Sequence, residues 1–98
     1  MTHPYEQEAT AWVATEVERL RSLSYADLLA LMSQPPEHRP MEASDGKALG
    51  LETHIFWDDR KGQDLRVIVD VWDWTKRFAR PIAKQDFIRA PDGSFVGE

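Results

Sequence analysis

The 98-residue chain contains no cysteine. Disulfides, thiolate zinc sites and a cysteine nucleophile are therefore excluded. Long apolar runs are missing too; none approaches the roughly 20 residues that a membrane-spanning helix needs. The opening Met1-Thr-His-Pro-Tyr-Glu has no charged-then-apolar signal region, so the expected location is the cytoplasm. There is no glycine-rich phosphate loop, no Ser-His-Asp set and no nucleophile elbow. No cofactor motif, internal repeat or low-complexity segment is visible. Nothing in the chain names a reaction, a substrate or a family.

Positive charge is also in short supply, with 12 Lys and Arg against 17 Asp and Glu. The excess is uneven. Residues 1–46 carry eight acidic and three basic side chains, whereas residues 47–98 carry nine of each. An acidic surface disfavours a general nucleic-acid or anionic-membrane binder. Ordinary apolar and charged fractions, 42% and 30%, fit a soluble globular chain. The length suits one domain, 1–98.

The strongest structural signal is Gly62 to Trp74. Leu65, Val67, Val69 and Val71 alternate with Arg66, Ile68, Asp70, Trp72 and Trp74, the period of a strand with one aliphatic face. Lys47 to Asp59 alternates as well, with Leu49, Leu51, Thr53, Ile55 and Trp57 in one set. Asp59-Arg-Lys-Gly62-Gln63 reads as a type I turn closed by a left-handed glycine, pairing Asp59 with Gln63. That register sets Trp57 opposite Leu65 and Ile55 opposite Val67. A two-residue loop would slip the pairing by one and bring Leu65 and Val67 to the face of Glu52 and His54.

Before the strands, residues 4–22 predict an amphipathic helix with Tyr5, Ala9, Trp12, Val13, Val17 and Leu20 on one stripe. Ser24 is the expected N-cap of a second helix ended by Gln34-Pro35-Pro36. Residues 34–46 read as a crossing loop. After Trp74, residues 75–81 are expected to loop back to a third strand, about Ile82 to Ala90. The turn Ala90-Pro-Asp-Gly93-Ser94 then launches a short last strand, Ser94 to Val96. The expected fold is α+β, with two N-terminal helices packed on one face of a three- to four-stranded antiparallel meander.

The other sheet face carries the candidate function. Phe56, Arg66, Ile68, Trp72 and Trp74 mix aromatic and apolar side chains with charge, the composition of an interface. The expected partner is a protein, most simply a second copy of the chain in a two-fold homodimer. Glu52, His54 and Asp70 share that face. They could instead serve a small-molecule ligand, acid/base chemistry or a metal, although Glu-x-His on a strand is a weak signal. Glu52 directly opposite Asp70 is unfavourable unless a cation such as Arg66 lies between them.

A third reading is an inhibitor or immunity-like protein that binds a basic partner through Glu6, Glu8, Glu16, Glu18, Glu37, Glu42 and Asp45. Lys76, Arg77, Arg80 and Lys84 interleave with aromatics, but too briefly to outweigh the acidic balance as a nucleic-acid footprint. Asp58, Asp59 and Asp64 lack the ordered spacing of a calcium loop. His3 and His38 stand isolated in polar segments.

Overall fold

The computed structural model describes residues 3–76 and 80–98. Among these, two helices come first, α1 (Glu6–Arg21) and α2 (Tyr25–Met32). Four strands follow: β1 (Glu37–Glu42), β2 (Ala48–Trp57), β3 (Leu65–Trp72) and β4 (Ala83–Arg89). They pair antiparallel in the order β1-β2-β3-β4, a meander. Both helices cover one face of the sheet, so the expected α+β layout is the one observed.

The core lies between these two layers. Ala9, Val13, Val17 and Leu20 of α1 and Leu28 of α2 meet Leu49, Leu51, Leu65, Val67, Val69, Val71 and Phe87. Each large aliphatic side chain buried this way contributes about 1.5–3 kcal/mol. α1 lies against β3 and β4, and α2 against β2 and β3. The helix ends follow local chemistry. Ser24 Oγ accepts the Asp27 N–H at 3.0 Å and starts α2. Glu6 and Glu8 stand in the first turn of α1, with Arg19 and Arg21 in its last, matching the helix dipole.

One residue breaks the apolar stripe of α1. Glu16 is only 4% exposed. Its carboxylate accepts from Arg19 Nη2 at 2.5 Å and lies 3.5 Å from Arg39 Nη1 on β1. A buried carboxylate requires such cationic partners.

The β2–β3 register is the expected one, with Trp57 opposite Leu65, Ile55 opposite Val67 and Leu51 opposite Val71. The loop that sets it differs. Asp58 N–H donates to Asp64 O, and the turn bond runs from Gln63 N–H to Arg60 O. Gly62, at φ +85°, is thus the third residue of the turn rather than the fourth. The loop is longer at both ends by one residue, which preserves the pairing.

Three other expectations need correction. Residues 34–46 are not all loop, because Glu37–Glu42 is the edge strand β1. Its sequence Glu-His-Arg-Pro-Met-Glu conceals the strand, since an edge exposes most side chains and tolerates Pro40. The last strand reduces to a single bridge, Arg89 to Phe95, next to a bond from Val96 N–H to Ile88 O at 2.9 Å. Finally, β3 ends at Trp72, and Trp74 belongs to the turn that follows. The expected loop 75–81 falls partly outside the described residues, as does Arg77 of the basic cluster.

Candidate functional site

Alternation places His38 and Pro40 of β1, Gly50, Glu52, His54 and Phe56 of β2, Arg66, Ile68, Asp70 and Trp72 of β3, and Lys84, Asp86 and Ile88 of β4 on the face away from the helices. Among the described residues, no helix covers it. The register arranges these side chains in transverse rows. One row runs His38, Glu52, Asp70, Lys84, so that two carboxylates are flanked by groups able to carry positive charge. The next runs His54, Ile68, Asp86, and the one beyond it Phe56, Arg66, Ile88.

The structure brings Glu52, His54 and Asp70 together. One donor atom from each lies within 4.8 Å of the other two. His38, isolated in a polar segment of the chain, joins them across the β1–β2 pairing, with Nδ1 2.6 Å from Glu52 Oε1. His54 Nε2 is 3.9 Å from Asp70 Oδ1, too far for a hydrogen bond. Arg66 does not lie between the two carboxylates. It donates to Asp58 Oδ1 at 2.7 Å and pairs with Asp86 on its other side.

Asp70 is the unusual member. It is 6% exposed, on a face that no helix covers among the described residues. Burial pushes its carboxyl above the ordinary carboxylate range, and the Glu52 charge adds to this. The nearby Trp72 indole N–H, His54 and Lys84 act in the opposite direction. The Trp72 N–H is close enough to favour the carboxylate but makes no hydrogen bond of acceptable geometry. Asp70 Oδ1 and Trp72 Nε1 are both buried without a hydrogen-bond partner.

The aromatic side chains frame this polar centre. Phe56 is 42% exposed at one end, and Trp74 is 50% exposed at the other. Trp74 lies flat over Gly50, where a Cβ would come within 2.1 Å of the indole. Its ring centroid is 6.2 Å from that of His38. Trp72, Ile68 and Ile88 are half-buried between them. All five expected interface residues therefore share one surface with all three of the expected polar site, and Trp74 reaches it from outside the strand.

The other sequence candidates disperse. Glu8 accepts from the Ser44 N–H and hydroxyl, Glu37 pairs with Arg39, and Asp45 accepts from the Tyr5 hydroxyl at 2.7 Å. With Glu16 buried, Glu6, Glu18 and Glu42 are the exposed remainder of that acidic set. Asp58 and Asp64 serve the β2–β3 turn, and Asp58 also holds Arg66. A separate cleft of about 310 Å³ opens on the helix side, lined by Leu20, Leu31, Met32, Pro35, Thr53 and Ile55 among others. The Thr53 hydroxyl is buried there without a partner.

Among the described residues, no helix is long and apolar enough to cross a membrane. Comparison with protein families, with curated proteins and with solved structures finds no match for this chain.

Proposed function

We propose that this chain is a small interaction domain that pairs with a second copy of itself through the sheet face bearing Phe56, Ile68, Trp72 and Trp74. The observation that carries the reading is an apolar, aromatic surface on the side of the sheet that the chain's own helices do not cover. Exposed apolar area of this kind marks contact surfaces, and tryptophan and phenylalanine are enriched in them.

Three features support pairing with a second copy through this face. The face carries both signs of charge, Arg66 and Lys84 beside Glu52 and Asp86, so it complements itself under a two-fold axis. Its size also fits. Strands about 4.8 Å apart with about 3.3 Å per residue give a face of roughly 500 Å² in projection. Side-chain relief brings that toward the ~800 Å² per partner of a standard interface. Edge pairing, the competing route, is discouraged by Pro40 on β1 and by the exposed Lys84, Gln85 and Asp86 on β4.

Light scattering after size exclusion across a dilution series tests this. The wild-type chain is expected at twice 11.3 kDa, and Phe56→Asp at 11.3 kDa with its fold intact by circular dichroism. Phe56 is already partly in solvent, so the substitution costs the monomer little. A wild-type mass of 11.3 kDa at every micromolar concentration would overturn the proposal.

A further inference from the structure

We propose that Glu52, His54 and Asp70 form a three-donor site for a divalent transition cation of the zinc class, with His38 orienting Glu52 from behind. The proposal goes beyond self-association and stands on different observations.

Two carboxylates directly opposite each other on neighbouring strands repel, and here one of them is buried. A structure that keeps them so close needs positive charge between them. Arg66, two rows along the same face, is engaged by Asp58 and Asp86. Lys84 stands opposite Asp70 on β4, on the side away from Glu52, and is exposed, so it flanks the pair rather than lying between the two carboxylates. What the two carboxylates face is the imidazole of His54, and Asp70 Oδ1, the atom nearest to it, is buried with no hydrogen-bond partner. A buried acceptor without a donor costs about 1–3 kcal/mol, more when it is charged. A cation at the centre of the three side chains removes both penalties together.

The donor set decides the class of ion. Two carboxylates and a neutral imidazole carry a charge of about −2, which one divalent ion cancels. Imidazole selects zinc, copper, nickel or iron over magnesium and calcium, which take oxygen ligands. Bonds of about 2.1 Å in tetrahedral geometry place donors about 3.4 Å apart. The donor atoms already lie within 4.8 Å of one another, an ångström or so from that spacing. His38 Nδ1 lies close to Glu52 Oε1, the position of the outer partner that metal-binding carboxylates and histidines commonly have. Three protein donors leave one coordination position open on the sheet face, where water or a small oxyanion could bind.

The test is isothermal titration of Zn²⁺ into the full-length protein after EDTA treatment and buffer exchange, at pH 7. The stoichiometry is counted per chain, so the result holds whether chains are single or paired. One Zn²⁺ per chain is expected, with affinity at least tenfold weaker in His54→Ala and in Asp70→Asn, and unchanged in His3→Ala. Co²⁺ should give a visible spectrum of low-symmetry four- or five-coordination in the wild type, and lose it in both ligand variants. Asp70→Asn is isosteric, and it removes one of the two apposed charges. In EDTA its melting temperature is expected at or above that of the wild type. No saturable uptake, uptake unaffected by His54→Ala and Asp70→Asn, or a clear loss of stability in metal-free Asp70→Asn would each overturn the proposal. The last outcome would assign Asp70 a structural role beside Trp72.

Discussion

At Gly50 the backbone of β2 supports a tryptophan from outside its own strand pair. A Cβ added there would meet three indole carbons of Trp74 at 2.1 to 2.4 Å. Glycine is required at this position for close approach, since it is not one of the chain's positive-φ glycines. Gly50→Ala should therefore drive Trp74 off the sheet and away from His38. Overpacking of this kind costs about 1–3 kcal/mol, and the half-exposed ring has room to leave, so the low end is expected. Chemical denaturation of a double-mutant cycle with Trp74→Ala checks the cause. Gly50→Ala should cost nothing once the indole is gone, and full additivity would exclude the contact as the reason for glycine.

On the scale of elements, β4 packs on the helix layer through the buried Phe87, and Arg89 adds a polar tie. Arg89 donates to the carbonyls of Arg21, Leu23 and Gly93 at 3.1, 2.8 and 2.7 Å. The first two are unpaired helix-end and linker carbonyls, which a cation satisfies well. Arg89→Met keeps the apolar stem but leaves three carbonyls without their donor. Hydrogen bonds from a charged group are worth about 1.5–3 kcal/mol, so a loss of about 2 kcal/mol in urea unfolding is expected. A loss under about 0.5 kcal/mol would show that water replaces the guanidinium there. The other strands show what sequence could and could not reveal. Val67, Val69 and Val71 alternate without interruption because one face of β3 is wholly buried, so strand and register were legible. β1 was not, because an edge strand buries too little for its pattern to emerge: Glu37, Arg39 and Met41 turn to the helix side, none is fully buried, and two of them are charged. Missing β1 meant missing His38, since its role depends on lying opposite Glu52 across a pairing of strands 14 residues apart. Glu52, His54 and Asp70 could be placed on one face from the β2–β3 register alone. That Asp70 is buried there could not, because its cover includes Trp72 and neighbours that only the folded sheet assembles.

For the molecule as a whole, acidity is used internally as much as it is displayed. Asp45, Asp73, Asp92 and Glu98 all have carboxyls held below the ordinary range, mainly by hydrogen bonds from the Tyr5, Thr75 and Ser94 hydroxyls and the Arg21 guanidinium, respectively. A carboxylate whose folded pKa is lowered contributes stability above its unfolded value, near 4, and loses it as pH falls through the folded value. Asp73 is the best placed to show this. It accepts the Thr75 N–H at 3.0 Å and the Thr75 hydroxyl at 2.6 Å, and Lys47 Nζ lies 3.4 Å away. It thereby ties the end of β3 to the turn before β2. Asp73→Asn retains the shape and removes the charge. Its melting temperature should fall below that of the wild type at pH 7, where the wild-type carboxylate is fully ionised. The gap should begin to close below about pH 4, where the unfolded carboxyl protonates, and be gone once pH falls below the lowered value of the folded carboxyl. Melting curves of both proteins from pH 7 to pH 2 decide between two origins of that gap. A gap that narrows with acid locates the effect in the ionised carboxylate and its contacts with Thr75 and Lys47. A gap constant across the range would assign it to shape and packing at the end of β3, and the charge of Asp73 would then contribute nothing to the fold.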